Sequence, residues 1–390
     1  MPSSYRILFF FCTKNDRSLD HGVLTSLLAG APFMETNSLF FAFGRPFSPF
    51  YSLAMRLRES LYRRGILPSY RFEVPVVSVG NLTMGGTGKT PMVQYLARLL
   101  QEHGFKPAIV SRGYGGAARG KVNLVSDGSN LLLDAHAAGD EPRLLAETLP
   151  GVPVLTGMVR RLPARRALSM GADVLLLDDG FQHLPVVRDI DLVLFNTDRL
   201  AGNSRVFPGG DLREPVAGLR RATGFVMTGV HGANRERAER FADLLRSKFP
   251  SIPVAFAGLE MESLVGFTPS GLIVPVEAGP LQGQPCFGFC GIAHPELFRQ
   301  TLTDQGFPLA GFLPLADHQP YSEALLERLV AQAQKSGAQW LLTTEKDMVK
   351  LVGRAAHLPL PLCGLRTRVT VDPDFARAII EQLRSWTAPR

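Results

Sequence analysis

Residues 74–91 read Val-Pro-Val-Val-Ser-Val-Gly-Asn-Leu-Thr-Met-Gly-Gly-Thr-Gly-Lys-Thr-Pro, and the chain runs on through Val93, Leu96, Ala97 and Leu100. Val76–Val79 is short, β-branched and almost wholly apolar, as suits a strand buried on both faces of a parallel sheet. From Pro91 the apolar residues recur at helical spacing. Between strand and helix lie Gly85-Gly86-Thr87-Gly88-Lys89-Thr90. Glycines there allow backbone N–H groups to close on phosphate oxygens, and the helix N-terminus adds its positive end. Lys89 can reach the β- and γ-phosphates, and the Thr90 hydroxyl can ligate Mg2+. The expected nucleotide-binding segment is therefore Thr83, Met84, Gly85, Gly86, Thr87, Gly88, Lys89, Thr90 and Pro91.

The commonest form of this loop has a glycine five positions before Gly88, where this chain has Thr83. What fits is the Gly-Gly-x-Gly-Lys-Thr variant of P-loop proteins related to partitioning ATPases, with Met84 where many of them carry lysine.

The 390 residues suffice for two domains. The net charge is +7, and residues 1–100 hold eleven Lys/Arg against five acids, so +6 of it lies in the N-terminal quarter. A basic N-terminal region points to an anionic surface or substrate. Four cysteines in this length argue for a reducing compartment rather than a disulfide framework. Cys286 and Cys290 read as core residues, since no second ligand pair accompanies them. No apolar run approaches the roughly 20 residues that span a bilayer. Val23–Pro32 has the outline of a signal peptide, but export would separate a nucleotide site from its ATP. Residues 1–33 are instead expected to be a disordered extension, with Met34 as an alternative start.

In Phe47–Arg64, Phe50, Leu53, Ala54, Leu57 and Leu61 recur at helical spacing, with Arg56, Arg58, Glu59, Arg63 and Arg64 on the other faces. Phe40, Phe41, Phe43 and Phe47 precede it. This pattern suits either a basic amphipathic helix lying on an anionic bilayer or a helix packed on its own domain.

Beyond the loop, strands expected at Pro107–Ser111, Val152–Thr156, Val174–Leu177 and Ile190–Phe195 alternate with helical segments. Alternation implies a parallel sheet with its ligands at the carboxyl ends of the strands. After Lys248 the chain becomes rich in Gly and Pro, with short β-like runs at Leu264–Phe267 and Leu272–Val276. The expected division is an extension at 1–45, a P-loop domain at 46–258 carrying the basic helix, a linker with a short hairpin at 259–285, and a smaller α/β domain at 286–390.

Polar motifs sit at the strand ends. Asp173-Val-Leu-Leu-Leu-Asp178-Asp179 has the form of a strand that delivers a carboxylate to Mg2+ beside the loop, through Asp178 or Asp179. Gly180-Phe181-Gln182-His183 follows it. Asp140, in Gly139-Asp140-Glu141-Pro142, is either the base for an alcohol acceptor or a helix N-cap. Asp317-His318 is either a tuned base pair or a surface turn. Thr344-Glu345-Lys346-Asp347 does not meet the guanine-specificity pattern, which favours adenine.

In order along the chain, these blocks resemble the tetraacyldisaccharide 4'-kinases, the lipid A 4'-kinases of Gram-negative bacteria. Leu61-Tyr62-Arg63-Arg64-Gly65, Ser111-Arg112-Gly113-Tyr114 and Phe207-Pro208-Gly209-Gly210 with Leu212-Arg213-Glu214-Pro215 complete the set. The resemblance runs from about Pro46 to the C-terminus. It implies ATP-dependent phosphorylation of the 4'-hydroxyl of a tetraacylated glucosamine disaccharide 1-phosphate by a peripheral enzyme at the cytoplasmic face of the inner membrane. It also implies two α/β/α domains joined by a two-stranded linker. Carried over by motif, Asp140 becomes the base with His318 in support, and Lys89 becomes a catalytic phosphate ligand. Thr90, Asp178 and Asp179 become the Mg2+ ligands, and Arg112, Tyr114, Arg160, Gln182, His183 and Glu214 the substrate contacts. Gln319 stands where the family often has a second histidine, and the register does not separate Arg160 from Arg161. The expected partners are the membrane-embedded lipid acceptor and the anionic inner-membrane surface, without nucleic acid. The alternatives are a partitioning- or metallochaperone-like nucleotide hydrolase and a membrane-attached module holding ATP structurally.

Overall fold

The computed structural model describes residues 38–386 other than 270, 278 and 282. The extension expected over residues 1–33 lies outside the described residues. The described residues open with helix α1 (Ser38–Gly44), a single 3-10 turn and helix α2 (Ser48–Arg63).

The phosphate-loop unit follows as strand β1 (Val76–Asn81) and helix α3 (Lys89–Glu102). Then come β2 (Pro107–Ser111), β3 (Asn123–Ser126), α4 (Ala135–Ala138), α5 (Asp140–Thr148), β4 (Val154–Thr156), α6 (Arg161–Ser169), β5 (Val174–Asp178) and β6 (Ile190–Asn196). The chain continues with β7 (Gly224–Thr228), α7 (Arg235–Lys248), the long β8 (Val254–Phe267) and β9 (Ile273–Val276). The last third holds β10 (Cys286–Cys290), α8 (Pro295–Asp304), β11 (Leu309–Pro314), α9 (Glu323–Lys335), β12 (Trp340–Thr344), α10 (Glu345–Met348), β13 (Leu362–Val371) and α11 (Pro373–Ser385).

Among the described residues all thirteen strands join one sheet, in the order β11-β10-β12-β13-β8-β7-β6-β1-β5-β2-β4-β3, with β9 on the side of β8. The central strands β1, β5, β6 and β7 are parallel and fully buried, as their unbroken Val/Leu/Ile runs require. Met92, Val93, Leu96 and Leu100 on α3 pack against Val77 and Val79, which makes the loop helix one wall of the largest core.

The two parallel halves meet at an antiparallel bridge. β8 starts against β7, with Phe225 opposite Val254, and ends against β9, with Phe267 opposite Ile273. β13 starts against β12, with Leu341 opposite Leu362, and crosses back along β8 to place Val371 opposite Ala257. The second strand of the bridge thus comes from the far C-terminal region, not from the 259–285 segment that was expected to form the linker alone. A related correction concerns α11, expected in the smaller domain. Its Ile379, Ile380 and Leu383 are buried in the same core as Val77 and Met92. The spacing of those residues promised an amphipathic helix, but nothing local specifies which sheet covers it.

Helix α2 reverses the usual arrangement of a surface helix. It buries no residue. Phe43, Phe47, Phe50, Leu53 and Leu57 are between 58% and 80% exposed. The polar face meets the protein instead: Ser48 Oγ donates to the Val206 carbonyl, Tyr51 Oη to that of Arg213, and both Arg58 terminal nitrogens to that of Gln182.

Candidate active site

The phosphate loop is held open by its backbone. Gly88 caps α3 with φ +76°, and Gly85 has φ +111°, both left-handed conformations that favour glycine. A side chain at Gly85 would run into the Arg199 guanidinium. The loop is pinned from behind by Met84 N–H to the Asp211 carbonyl (2.7 Å) and Thr228 Oγ1 to the Thr87 carbonyl (2.9 Å). The unpaired N–H groups of the α3 N-terminus follow directly, so the loop is a preformed anion cradle. A Cβ on Gly86 would lie 3.0 Å from the Ala293 Cβ, which places the second half of the molecule directly over the loop.

Strand β5 runs beside β1 with Val79 opposite Asp178, so its carboxyl end arrives next to the cradle. The two aspartates there are in different situations. Asp178 is 2% exposed; Ser111 Oγ donates to its Oδ2 at 3.1 Å, and its Oδ1 is buried without a partner. Burial, together with the nearby Glu141 and Asp179 carboxylates, pushes the Asp178 carboxyl up to about 7. An orphaned carboxylate oxygen beside a phosphate cradle fits a divalent cation, which takes oxygen donors and would return the group to its ionised form. Asp179, with φ +53°, is already engaged. Arg213 grips both its oxygens at 2.7 and 2.8 Å, and Lys89 Nζ lies 3.7 Å away. Burial would raise the Asp179 pKa, but Lys89 and Arg213 outweigh it and hold the carboxyl low. Sequence could not separate these two carboxylates; the geometry gives Asp178 the cation-ready position and makes Asp179 the counter-charge of Lys89 and Arg213.

A second cluster is assembled from both halves. Asp140 opens α5, and Gly139 before it makes no side-chain cap, so the carboxylate is not spent on the helix end. His318 follows β11 with its backbone at φ +59°, held there by N–H bonds to the Gly291 carbonyl (3.3 Å) and to Asp317 Oδ1 (3.1 Å). Left-handed backbone at a non-glycine residue is strained and recurs at functional sites. His318 Nδ1 donates to Asp140 Oδ2 at 2.9 Å, across 178 positions of sequence. Burial would raise the Asp140 pKa. The His318 hydrogen bond and the Lys350 and Lys346 charges overcome burial and hold it well below the usual carboxylate range. The same hydrogen bond raises His318, against the burial and the Lys346 charge that lower it. The Tyr114 ring stands 6.4 Å from the His318 ring.

Residues 40–384 match the family model of the tetraacyldisaccharide-1-P 4'-kinases, LpxK. The chain is 44% identical over 362 residues to the tetraacyldisaccharide 4'-kinase of Desulfotalea psychrophila, covering 90% of this chain and 99% of that one. The chain belongs to the tetraacyldisaccharide 4'-kinase family. Its similarity to the Syntrophus aciditrophicus 4'-kinase is 41% identity, over 87% of this chain and 92% of the relative. Among solved structures it is similar to Aquifex aeolicus LpxK in complex with ATP, with TM-score 0.69, 30% identity and coverage of 87% and 98% of the two chains.

Within this family member the expected site residues fall into two groups. Asp140, His318, Lys89, Thr90, Asp178 and Asp179 are brought to the ends of the parallel strands around the cradle, with exposed Arg112 and Tyr114 at the mouth. The other expected substrate contacts point inward. Arg160, 5% exposed, donates to the carbonyls of Asp178 (3.4 Å) and Asp179 (3.1 Å) and bonds His183 Nδ1 at 3.2 Å. Burial and the Arg160 and Arg188 charges push His183 down to about 3, so it is neutral and accepts from Arg160. Gln182 donates to the Asn81 carbonyl (2.9 Å) and to Glu214 (3.0 Å), and buried Glu214 is held by Arg221 at 2.8 Å. As placed, Arg160, Gln182, His183 and Glu214 brace the turn after β5. Arg160, one residue before α6, is the buried member of the Arg160–Arg161 pair; Arg161 stacks on Tyr70 at 4.5 Å. Sequence reading gave no role to Ser111, Arg213, Lys346 or Lys350. Lys346 and Lys350 lie four apart, the spacing that puts two helix residues on one face, and this was the available signal.

Proposed function

We propose that this protein transfers the γ-phosphate of ATP to the 4'-hydroxyl of a tetraacyldisaccharide 1-phosphate, as its family name describes, and that it does so as a peripheral enzyme on an anionic membrane surface. The observation that carries the reading is the Asp140–His318 pair, drawn from opposite halves of the molecule and facing a cradle that has its own cation-ready carboxylate. A pair in that position orients the oxygen that attacks the γ-phosphate, and the family relationship makes that oxygen a disaccharide hydroxyl rather than water.

In this reading the loop amides and Lys89 hold the β- and γ-phosphates, and Asp178 with Thr90 holds Mg2+, which neutralises phosphate charge when bound. Asp140 is ionised at neutral pH and accepts only, so it orients the acceptor hydroxyl and takes its proton as the phosphoryl group departs. His318 fixes the carboxylate from the other half. Phosphoryl transfer of this loose kind depends on positioning and charge neutralisation, and those are what the two clusters supply. Arg112 and Tyr114, exposed at the mouth, are the remaining contacts for an anionic sugar headgroup.

The outward apolar face of α1 and α2, rimmed by Arg56, Arg63 and Arg64, supports the membrane reading over packing within the domain. Among the described residues no helix is long and apolar enough to cross a bilayer. Incubation of the purified protein with Mg-ATP and the tetraacyldisaccharide 1-phosphate in mixed micelles tests the proposal by mass spectrometry of the lipid. A gain of one phosphate on the non-reducing sugar is expected; ATP hydrolysis that ignores the lipid would favour the hydrolase reading instead.

A further inference from the structure

Of the Thr344-Glu345-Lys346-Asp347 block only the Lys346 charge has entered the chemistry above, yet the whole block lies against it. Thr344 caps α10 by accepting from the Asp347 N–H, and Asp347 is completely buried. Its Oδ2 accepts from the Gly291 N–H (2.9 Å) and the Thr344 hydroxyl (2.8 Å), and its Oδ1 from Lys350 Nζ (3.0 Å). Lys350, anchored by that buried carboxylate, then reaches across to Asp140 Oδ2 at 3.4 Å. Lys346 Nζ, from the same short helix, stands 3.4 Å from His318 Nε2, 3.3 Å from Asp317 and 3.8 Å from Glu141.

We infer that Lys350 is a positioning residue for the acceptor base: with His318 it occupies Asp140 Oδ2, and so leaves Oδ1 as the oxygen presented to the acceptor hydroxyl. The inference rests on the kinase reading given above and adds the residue that aims its base. A carboxylate has two equivalent oxygens that exchange by rotation about one bond. Two charged or polar donors on the same oxygen remove that freedom and fix which lone pairs face the cleft. Lys350 is itself fixed, because a fully buried aspartate is tolerable only with a counter-ion, and Lys350 is the one bonded to it. Because Gly291 opens the segment that lies over the phosphate loop, one buried carboxylate ties together the segment above the loop, the lysine and, through it, the base.

The groups facing Asp140 are His318 from the β11–α9 loop, Lys346 and Lys350 from and just after α10, and behind them Asp347, Asp317 and Glu141. Removing Lys350 alone strands Asp347, so folding is protected by the paired variant Lys350→Met with Asp347→Asn, which deletes both charges together. Lipid phosphorylation by this pair, by Asp140→Asn and by the triple variant is measured across pH with saturating Mg-ATP. Active wild-type enzyme in the same assay tests the kinase reading separately. For the paired variant we expect kcat to fall about tenfold or more with KM for ATP unchanged. The acid limb of its kcat profile should move up, because the cation lost lies directly on Asp140 while the carboxylate lost with it lies behind that cation. In the Asp140→Asn background the same pair should change kcat by less than about twofold. An equal loss in both backgrounds, or a loss with an unmoved acid limb, would assign Lys350 a purely structural role and overturn the inference.

Discussion

Replacing Phe50 and Leu57 by aspartate tests the membrane anchor with little confusion from folding. Both side chains lie on the outward face of α2, Phe50 73% and Leu57 58% exposed, on a helix that buries nothing. Full burial of such a side chain in an apolar medium is worth about 1.5–3 kcal/mol. Scaled by the exposed share, each contributes roughly 1–2 kcal/mol on entering the headgroup–acyl boundary, so losing both costs about 2–4 kcal/mol of partitioning free energy. Two carboxylates facing an anionic surface add to that. At 1.4 kcal/mol per factor of ten, the double variant should bind vesicles containing phosphatidylglycerol at least thirty- to several-hundredfold more weakly. Global stability should move by less than about 0.5 kcal/mol, since the positions are exposed and far from the cores. Co-sedimentation with sucrose-loaded vesicles reads the first quantity and urea denaturation the second. Unchanged partitioning with intact stability would refute the anchor and leave the exposed stripe to another partner.

Three shorter predictions concern the site and the core that α11 closes. Asp140→Asn should keep nucleotide affinity, measured by calorimetry, while phosphorylation of the lipid falls by about 10²–10⁴; retained turnover would remove Asp140 from the acceptor side. The Asp178 carboxyl has a folded pKa near 7, above its unfolded value of 3.8, so its contribution to stability is present below about pH 4 and lost as pH rises through 7. Asp178→Asn removes that loss. In chelator-treated protein it should raise stability at pH 8 by up to about 4 kcal/mol, and much less at pH 5, while abolishing transfer; a pH-independent difference in urea midpoints would contradict the burial argument. Ile380→Ala should destabilise the P-loop half by about 2–5 kcal/mol, read as loss of cooperative unfolding midpoint, because α11 closes the core around Val77 and Met92. If α11 instead belonged only to the smaller half, nucleotide-protected and unprotected unfolding would shift alike.

The parts legible in the sequence are those whose signal is local. The loop declares itself by a β-branched strand, three glycines and Lys-Thr in six positions, and β5 by an apolar run ending in two carboxylates. The parts that were not legible depend on distance in sequence. β7 is five residues long and follows Arg220-Arg221, with no period of its own to announce it. β8 is exposed at Leu259 and Glu260 and half-exposed at Met261, because its middle spans the bridge between halves, so of its 14 residues only Leu264–Phe267 read as a strand. The substrate contacts assigned to Arg160, Gln182, His183 and Glu214 illustrate a general difficulty. A polar residue within a motif has the same letter whether it faces a ligand or braces the backbone that presents one, and only burial and partners distinguish them.

Those braces also couple α2, the proposed anchor, to the phosphate loop in the same half of the molecule. Arg58 on α2 donates to the Gln182 carbonyl, Gln182 donates to the Asn81 carbonyl at the end of β1, and the loop begins two residues later. Glu59 pairs with Arg221 at 3.0 Å, and Arg221 holds Glu214, the other acceptor of Gln182. Tyr51 fixes the Arg213 backbone, whose side chain grips Asp179 beside Lys89. Every link is a hydrogen bond or ion pair at least partly removed from water, where such contacts hold geometry better than they do on an open surface. Were α2 to lie on a bilayer through its outer face, as proposed, these links would carry the loop at a set height and angle rather than on a slack tether. In the proposed reading, the acceptor cannot leave the membrane and this fixed geometry would take the place of diffusion: α2 would set the position of the cradle over the surface, and the hydroxyl would meet the Asp140–His318 pair there.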